Sequence, residues 1–343
     1  MDFMEEPSVA IILVNWNGYI HTRNCLLSLR KISYGNYKTI VVDNGSSDGS
    51  GDALEREFEE ISLIRNSENL GFTGGNNEGI KYACEHGFKY LMLLNNDTEV
   101  EPDFLTSLIE RMEADDKVGA IQPKFYFLLN KNVIWNAGGI FYPSMGLTYT
   151  IGNGRENKPA YDQYREIDWI TGCGFLVRAD IVKKIGGLAD KFFAYYEDVD
   201  WSFRIRELGY RLFIEPRSIV YHEAGMSQKA KVKGKDGHLK PMVHYLNARN
   251  HIWFLRKYTP WYYIGSVSLY SLAKYSAYLA YFLARKRMEK FKFTCRGLKD
   301  GLLLKGIQWM ESIGITRDRF TGENRDWMKE CIRTGKGNSE LRS

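Results

Sequence analysis

Two aspartates directly follow apolar runs that are typical of buried strands. Asp97 comes after Tyr90–Leu94 and two asparagines, and Asp43 directly follows Thr39–Val42. A carboxylate at the end of a strand can bind Mg²⁺ or Mn²⁺ through oxygen, although Asp97 can equally cap the helix that begins near Pro102. Asp43 could accept a hydrogen bond from a nucleobase N–H, and an Asx-turn explains it at least as well. Position alone therefore leaves both aspartates with a functional and a structural interpretation.

The segment 195–201, Tyr-Tyr-Glu-Asp-Val-Asp-Trp, is the densest acidic and aromatic cluster. It begins a helix predicted from 197 to 208, whose apolar face comprises Trp201, Ile205 and Leu208. Asp198 lies at the start of this face, and an inward carboxylate at a helix start is either a cap or a general base. Asp200 and Arg204 are four residues apart, which favours a structural ion pair.

His222 ends a second predicted strand, 218–222, and a Gly- and Lys-rich loop over 225–240 follows it. A lone histidine in such a place is usually structural. The functional alternative is a metal ligand, because a neutral imidazole nitrogen binds divalent metal ions.

Residues 69–79, Asn-Leu-Gly-Phe-Thr-Gly-Gly-Asn-Asn-Glu-Gly, form a Gly- and Asn-rich loop that enters a helix predicted at Asn76–His86. Backbone N–H groups at a helix N-terminus favour a diphosphate. The segment is not a P-loop, because no Gly-Lys-Ser or Gly-Lys-Thr follows it. By itself it is weak support for nucleotide binding.

Short apolar runs alternate with helical patterns through the first 125 residues. The predicted strands there are 9–14, 39–42, 61–64 and 90–94, and the predicted helices are 21–31, 52–58, 76–86 and 102–112. Further strands are predicted near 133–135, 170–177, 211–214 and 218–222, and a helix at 242–258. This order predicts an α/β fold with a mixed, mostly parallel sheet and flanking helices. Ligands bind beyond the carboxyl ends of such strands, so the polar segments 15–17, 43–48 and 95–97 should meet in one crevice.

Charge is distributed unevenly along the 343 residues. The net charge is +5, but residues 1–230 have 24 Lys and Arg against 33 Asp and Glu, and residues 231–343 have 23 against 9. The acidic part suits a metal and nucleotide enzyme, and the basic part suits an anionic partner such as lipid head groups or phosphates. The five cysteines include no CxxC pair, so neither a zinc ribbon nor a disulfide framework is expected. The acidic N-terminus lacks the pattern of a secretory signal.

Taken together, these motifs resemble the inverting glycosyltransferases of family 2, which have the GT-A fold. The resemblance covers about residues 8–258 and is closest to the rhamnosyltransferase-like branch. It rests on six ordered motifs: Val-Asn-Trp-Asn-Gly at 14–18, Val-Val-Asp-Asn-Gly-Ser-Ser-Asp-Gly-Ser at 41–50, Asn-Leu-Gly-Phe-Thr-Gly-Gly-Asn-Asn at 69–77, Leu-Asn-Asn-Asp at 94–97, Glu-Asp-Val-Asp-Trp at 197–201, and His222. Each motif alone is weak, and the ordered set is specific.

The resemblance implies a role for each matching residue. The nucleotide of the donor should contact Val14, Asn15, Trp16, Asp43, Asn69, Gly71, Gly74, Asn95 and Asn96. Asp97 matches the last position of the family's Asp-x-Asp metal motif, whose first carboxylate is replaced here by Asn95. His222 matches a histidine that completes the Mg²⁺ or Mn²⁺ site in several members. Asp198 matches the catalytic base, with Glu197 as the substitute.

The implied reaction moves a sugar from a nucleotide-sugar donor, leaning to dTDP-rhamnose, to a glycan or polyprenyl-linked acceptor in surface glycan synthesis. A base on one face and a metal-bound diphosphate on the other would invert the anomeric centre, and the loop 225–240 could close over the donor. The open alternatives are a non-catalytic nucleotide-sugar-binding scaffold and a UDP-hexose-specific transferase of the same fold. A sugar-nucleotide pyrophosphorylase is disfavoured, because it would need an Arg- and Lys-rich loop near 15–23. No nucleic-acid partner is expected, because the catalytic part is acidic.

The C-terminal part is predicted to be helical and basic. Residues 261–284 contain one charge, Lys274, and have tyrosines throughout, so a helix in the membrane interface is favoured over a membrane span. Residues 285–305 contain eight basic and two acidic residues, which would attract anionic lipid. The alternative is a hairpin that covers the catalytic part or forms a homodimer.

We therefore predict a GT-A catalytic domain over 1–240, with a nucleotide-sugar half at about 8–125 and an acceptor half at about 126–240. A helical region over 241–343 follows, with a frayed end from 306. The expected location is the cytoplasm, at the cytoplasmic face of the membrane, with contact through 261–305.

Overall fold

The structure is a computed structural model and describes residues 6–224, 229–234 and 237–304. Its strands are β1 (Val9–Asn15), β2 (Tyr37–Asn44), β3 (Ser62–Asn66), β4 (Tyr90–Leu94), β5 (Thr98–Val100), β6 (Val118–Phe127), β7 (Asn130–Asn136), β8 (Gly139–Tyr142), β9 (Leu147–Thr150), β10 (Arg155–Glu156), β11 (Arg165–Ile167), β12 (Gly174–Arg178), β13 (Arg211–His222), β14 (Lys229–Gly234) and β15 (Gly237–Leu239). Its helices are α1 (Tyr19–Leu29), α2 (Ser50–Glu57), α3 (Gly71–Glu85), α4 (Phe104–Ala114), α5 (Ala179–Ile185), α6 (Glu197–Glu207), α7 (Pro241–Tyr258), α8 (Ile264–Ala284) and α9 (Met288–Leu302).

The first four strands form the parallel half of the main sheet, in the order β4-β1-β2-β3. Beyond β4 the sheet continues with β12, which is antiparallel to both β4 and β6. β13 runs parallel to β6 and antiparallel to β5 and β11. The predicted mixed, mostly parallel sheet is thus confirmed.

Helices cover both faces of the sheet, because the buried strands are apolar on both sides. Along β1, Ala10 and Ile12 pack into a cluster with residues of α3, α5 and α6. The alternate residues Val9, Ile11 and Leu13 pack into a second cluster with residues of α1, α2 and α4. Each fully buried aliphatic side chain contributes about 1.5–3 kcal/mol, so both faces hold the strand ends in place.

Several predicted elements differ from those in the structure. Helix α3 begins at Gly71 rather than Asn76, so Gly74 lies within a helix and not in a loop. The two short strands predicted at 211–214 and 218–222 are one strand, β13, with a register shift between Glu215 and Ile219. Pro216 falls in this irregular stretch, where a residue without an N–H is tolerated.

Three further sequence expectations need correction. Leu208 is half-exposed and does not continue the apolar face of α6. The long strand β6 had no counterpart in the prediction, and the strand predicted over 170–177 begins only at Gly174. The expected loop 225–240 contains the antiparallel hairpin β14–β15, while residues 225–228 and 235–236 lie outside the described residues.

Beyond β15 the chain is helical, as predicted, up to the last described residue at 304. Helices α7 and α9 pack closely because α9 has glycines at the contact: a Cβ at Gly297 would lie 2.4 Å from the Tyr245 carbonyl oxygen. Among the described helices, none has both the length and the hydropathy needed to cross a membrane. The frayed end predicted from 306 lies outside the described residues, and the division into domains stays a prediction.

Candidate active site

A chain of side-chain hydrogen bonds joins the ends of three parallel strands. Asn15 at the end of β1 donates to the Asp43 carboxylate at 3.1 Å and to the Ser50 hydroxyl at 2.8 Å. The Asn15 carbonyl oxygen accepts from Thr22 on α1 at 2.8 Å, and Thr22 accepts from Asn96 after β4 at 2.8 Å. The predicted meeting of the three polar segments is therefore confirmed. Thr22 links them, and it was missed because it looked like an ordinary helix residue.

Two residues beside Asn15 shape the rim of this crevice. The Trp16 side chain is 45% exposed, so its indole is free to contact a planar ligand. Val14 is half-buried, and α3 lies close to it, because a Cβ at Gly75 would be 2.8 Å from Val14 Cγ1. Glycine at position 75 is thus required for the close approach of α3 to the end of β1.

Asparagine side chains bind backbone N–H groups at the N-terminus of α3. Asn44 at the end of β2 donates to the Asn69 side chain at 3.1 Å and accepts from the Leu70 N–H at 3.1 Å. Asn69 in turn accepts from the Gly71 N–H at 2.8 Å. These N–H groups already have partners, so Asn69 and Gly71 shape the crevice next to Asp43 instead of offering a free diphosphate cradle.

The first turn of α3 packs against the segment that precedes α6. Gly71 has φ +75°, and a Cβ there would lie 2.5 Å from the Phe193 ring. The Thr73 N–H donates to the Phe193 carbonyl at 3.1 Å. Gly74, inside the helix, would place a Cβ 2.6 Å from Leu70. Both glycines are therefore needed for local packing, whatever ligand lies nearby.

The predicted metal residues Asp97 and His222 face each other. Asp97 follows β4 and His222 ends β13, and their Oδ1 and Nε2 atoms are 3.1 Å apart. Burial opposes ionisation of Asp97, but His222 outweighs it and holds the Asp97 pKa below its usual value. Burial likewise opposes protonation of His222, yet Cys173 and Asp97 raise the pKa of His222 to about 10. A metal ion would displace this proton, since only neutral imidazole binds metal.

The separation of these two atoms suits a divalent cation. Two ligand atoms at about 2.1 Å from an octahedral Mg²⁺ and at right angles lie about 3 Å apart, close to the observed distance. Within residues 6–224, 229–234 and 237–304, no three His, Cys, Asp or Glu side chains are grouped closely enough to hold a metal alone. Phosphate oxygens and water would have to complete the coordination, as they do for many Mg²⁺ ions. The residues present fit the ion on that condition.

Asn95 stands beside this pair, where the family motif has its first carboxylate. Its side-chain amide lies 3.1 Å from Cys173 Sγ and 3.4 Å from His222 Nε2. The other ring nitrogen of His222, Nδ1, is buried without a hydrogen-bond partner. Metal-binding histidines usually donate that second N–H, so orientation of the ring depends on packing against Trp135, whose ring centroid is 4.3 Å away.

The two candidate bases differ in their surroundings. The Asp198 carboxylate accepts from the Gly172 N–H at 2.9 Å and from the Val199 N–H at 2.8 Å. Burial raises the pKa of Asp198, while these N–H groups favour its ionised form. Glu197 is buried with Oε2 unpartnered, and burial together with the charge of Asp198 raises the Glu197 pKa well above its usual value. Both carboxyl groups thus have raised pKa values, and Asp198 differs in accepting two backbone N–H groups that favour its ionised form.

Two consecutive residues connect the candidate base to the candidate metal pair. Gly172 donates to Asp198, and the next residue, Cys173, accepts from the Asn95 backbone N–H at 3.0 Å. The loop before β12 thus joins α6 to the end of β4. Neither Gly172 nor Cys173 was selected from the sequence, where an isolated Thr-Gly-Cys-Gly has no distinguishing signal.

The turn before α6 has an unusual backbone. Phe193, Tyr195 and Tyr196 all have φ between 65° and 70°, a region that costs a non-glycine residue about 1–3 kcal/mol. Asn250 on α7 is fully buried and donates to three carbonyls of this turn, at 2.8–3.0 Å. These contacts were not predicted, because an asparagine in a long amphipathic helix resembles any polar position.

The predicted ion pair on α6 is confirmed. Arg204 Nε lies 2.8 Å from Asp200, which also binds Lys257 of α7 at 2.8 Å. These partners hold the Asp200 pKa low despite its burial. The four cysteines in the described part of the chain are free, in agreement with the expected lack of disulfides; Cys331 lies outside it.

Comparison with known proteins identifies related sequences. The model of the family "Glycosyl transferase family 2" matches residues 9–186. An N-acetylglucosaminyl-diphospho-decaprenol L-rhamnosyltransferase of Mycobacterium tuberculosis is 22% identical over 288 residues, 76% of this chain and 91% of that protein. A low-salt glycan biosynthesis hexosyltransferase of Haloferax volcanii is 24% identical over 204 residues, 58% of this chain and 61% of that protein.

Solved structures resemble the fold. A mannosyltransferase from Pyrobaculum calidifontis, solved with GDP-Man and Mn²⁺, matches with a TM-score of 0.53 and 14% identity, covering 88% of this chain and 89% of that chain. GalNAc-T7, solved with UDP, GalNAc and Mn²⁺, matches with a TM-score of 0.52 and 17% identity, covering 63% and 43%. At these identities the likeness shows the fold alone, and it confirms the expected GT-A fold.

Proposed function

The chain belongs to glycosyl transferase family 2, and we propose that it is an inverting, metal-dependent enzyme that transfers rhamnose from dTDP-rhamnose to a lipid-linked glycan acceptor. The observation that supports this most is the link between Asp198 and the Asp97–His222 pair through Gly172 and Cys173. This link supports the proposal because it connects a candidate base with a candidate diphosphate-binding centre through two adjacent residues.

The donor nucleotide lies at the ends of β1 and β2 in this proposal. Asp43 accepts a base N–H, Asn15 orients Asp43, and the exposed Trp16 indole contacts the base or sugar of the nucleotide. Asn69 and Gly71 form the wall beyond Asp43. Asn96 is connected through Thr22 to Asn15, and Asn95 lies beside the metal pair.

The residues at the end of β4 would bind the metal ion. Asp97 and His222 supply an oxygen and a nitrogen ligand, and Mg²⁺ or Mn²⁺ would neutralise charge on the departing diphosphate. His222 would have to be neutral to bind the ion, so metal binding would be coupled to loss of its proton. The lone carboxylate makes the site dependent on the donor's own phosphates.

Asp198 acts on the acceptor. Its carboxylate removes the proton from an acceptor hydroxyl while that oxygen forms a bond to the anomeric carbon. The bond from the anomeric carbon to the diphosphate oxygen breaks on the opposite face, and the electron pair leaves with the nucleoside diphosphate. One direct displacement inverts the configuration. The two N–H donors hold the Asp198 oxygens in place, so the carboxylate cannot easily rotate away from the acceptor hydroxyl.

The relatives guide the choice of substrates. One bears a name with both rhamnose and a diphospho-decaprenol acceptor, and another is named a hexosyltransferase of glycan synthesis. We therefore favour dTDP-rhamnose over UDP-hexoses as donor. A non-catalytic scaffold is disfavoured because Asp97, His222 and Asp198 are all present and connected.

A lipid-linked acceptor also calls for contact with a membrane. Leu269, Leu272 and Leu283 of α8 are exposed, and their helical spacing puts them on one side. Ile264 at the start of α8 is also exposed. Trp261 just before α8 is 81% exposed. With the basic residues from 285 onward, this surface suits a helix in the interface at the cytoplasmic face. Sedimentation with anionic vesicles tests this, and light scattering tests the alternative of a homodimer.

Turnover with defined substrates tests the proposed function. Purified full-length protein is incubated with dTDP-rhamnose or UDP-glucose, an N-acetylglucosamine-diphospho-lipid acceptor, and either Mn²⁺, Mg²⁺ or EDTA. We expect transfer from dTDP-rhamnose, loss with EDTA, and a product whose anomeric configuration, measured by NMR, is opposite to the donor's. Retention of configuration or full activity in EDTA would contradict the mechanism. Transfer from UDP-glucose but not from dTDP-rhamnose would identify a UDP-hexose, rather than dTDP-rhamnose, as the donor.

A further inference from the structure

A cavity of about 620 Å³ lies among α7, α8 and α9. Its volume falls in the range of about 300–1,000 Å³ that is typical of small-molecule sites. It is separate from the donor crevice at the ends of β1 and β2, and the mechanism above does not use it. Its lining is of two kinds, cationic and aromatic.

The cationic part comprises Lys274 of α8, Arg287, and Lys290 of α9. Lys290 is buried, with 3% of its surface exposed. No Asp or Glu occurs among the described residues that line the cavity. His244 of α7 also lines it, and its Nε2 is buried without a partner. A cavity with three cations, no carboxylate and an unused imidazole nitrogen is suited to an anion with several oxygen acceptors.

Two of these cations also lower the pKa of His244. Burial, Lys290 and Arg287 together lower the pKa of His244 to about 4, so the ring is neutral at physiological pH. A neutral ring has one N–H to donate and one nitrogen to accept, and Nε2 can donate to a bound oxygen in the appropriate tautomer. The positive potential therefore comes from the lysines and arginine, not from the histidine.

The aromatic part extends from the interior to the surface. Tyr275 and Phe282 are buried, while Tyr278 and Tyr281 are about half-exposed at the side of α8. This is the same helix that bears the exposed apolar side chains. An anion with a hydrocarbon tail could place its charged part on the cations and its tail along these rings.

The cavity also extends to the turn before α6. Tyr196 lines it, and Tyr196 is the residue directly before Glu197 and Asp198. The cavity therefore extends to the residue that precedes α6, the helix that carries Asp198. An acceptor whose charged group lies in the cavity would have its sugar near the start of this helix.

We propose that this cavity binds the diphosphate and the first isoprene units of the lipid-linked acceptor. This assignment rests on the proposed function, since it identifies where that acceptor is recognised. Lys274, Arg287 and Lys290 bind the diphosphate oxygens, and the tyrosines contact the chain. The enzyme then selects acceptors by the diphosphate as well as by the sugar.

Acceptor kinetics with a matched pair of variants test the proposal. Arg287→Gln removes a lining cation, and Lys286→Gln removes the neighbouring exposed cation, which does not line the cavity. We expect Arg287→Gln to raise KM for the diphospho-lipid acceptor by about 10-fold or more, because hydrogen bonds to charged groups are of that strength. KM for the donor, and KM for an alkyl glycoside of the same sugar without phosphate, should not change. Equal effects of the two variants would overturn the proposal.

Direct binding gives a second, independent measurement. Farnesyl diphosphate is titrated calorimetrically into wild-type protein whose donor site is saturated with dTDP and Mn²⁺, and farnesol is titrated in parallel. Farnesyl diphosphate should bind, and farnesol should bind more weakly. Lys274→Gln should lower the affinity for farnesyl diphosphate more than the affinity for farnesol. Absence of farnesyl diphosphate binding with the donor site filled would overturn the assignment while leaving transfer by the wild type intact. Absence of transfer from every nucleotide sugar would instead overturn the proposed function.

Discussion

Replacement of Asn250 by alanine tests whether the turn before α6 positions the catalytic base. The Asn250 amide donates to the carbonyls of Phe192, Ala194 and Tyr195 at 3.0, 2.8 and 2.8 Å. The Phe192 carbonyl has a second donor, since Arg249 reaches it at 3.1 Å. The variant therefore removes the Asn250 donor from the Ala194 and Tyr195 carbonyls, in a site where Asn250 itself is fully buried.

The magnitude follows from these contacts. A buried polar group that loses its partner costs about 1–3 kcal/mol, and the bonds to Ala194 and Tyr195 are partly buried, so we expect a total loss of about that size. This is a substantial part of the roughly 5–15 kcal/mol by which a domain is usually stable. The turn also contains three residues at positive φ, which relax once the hydrogen bonds are gone. We expect local rearrangement before global unfolding, with Asp198 moved from its position.

Steady-state kinetics at a temperature well below unfolding measure the consequence. A displacement of about 1 Å can lower a rate about 100-fold, so kcat of Asn250→Ala should fall by about that factor, or about 2.7 kcal/mol. KM for the donor should stay within about threefold, because the donor residues lie on other elements.

The control is Tyr245→Phe on the same helix. It removes the bond from the Tyr245 hydroxyl to Asp300 at 3.0 Å and keeps the ring against the turn. This variant should lose stability without losing kcat. A folded Asn250→Ala protein with the kcat of the wild type would refute the positioning role.

The remaining predictions concern the base and the metal pair. Asp198→Asn should lower kcat by about 10²–10⁴-fold and leave intact the thermal shift that donor and metal produce. Glu197→Gln, which mimics a protonated carboxyl group, should lower kcat by less than about tenfold. Equal losses of kcat in the two variants would contradict the assignment of Asp198 as the base. Because the Asp198 pKa is raised, the acidic limb of the kcat–pH profile should lie above the range of an ordinary aspartate, and a limb near pH 4 would argue against it. Because the Glu197 pKa is raised in the folded protein, stability should fall as pH rises through that pKa. Glu197→Gln should therefore raise Tm at neutral pH and make Tm less dependent on pH. Scanning calorimetry at a series of pH values measures both effects. Asp97→Asn and His222→Ala should each abolish the extra thermal stabilisation that Mn²⁺ gives to the donor complex; an undiminished shift in both would place the metal elsewhere.

Much of the nucleotide-binding half follows from local sequence. The apolar runs before Asn15, Asp43 and Asn95 are long and uninterrupted, so the ends of these strands were predicted to within two residues. Parallel neighbours end at a common edge, which makes the meeting of their polar ends a direct consequence of the pattern. The start of α3 was placed too late because glycines weaken the helical signal, although Asn44 and Asn69 stabilise that first turn.

Contacts between distant parts of the chain were not predictable in the same way. The sequence by itself determined the α/β alternation, the polar residues at three strand ends, and, through ordered motifs, the family and the candidates Asp97, Asp198 and His222. Only the tertiary structure decided that Gly172 binds Asp198, that Cys173 joins the base to the metal pair, and that Asn250 holds a strained turn. The reason is physical: helix and strand periodicity act over a few residues, whereas these hydrogen bonds connect positions 26 to 78 residues apart through packing that no local pattern encodes.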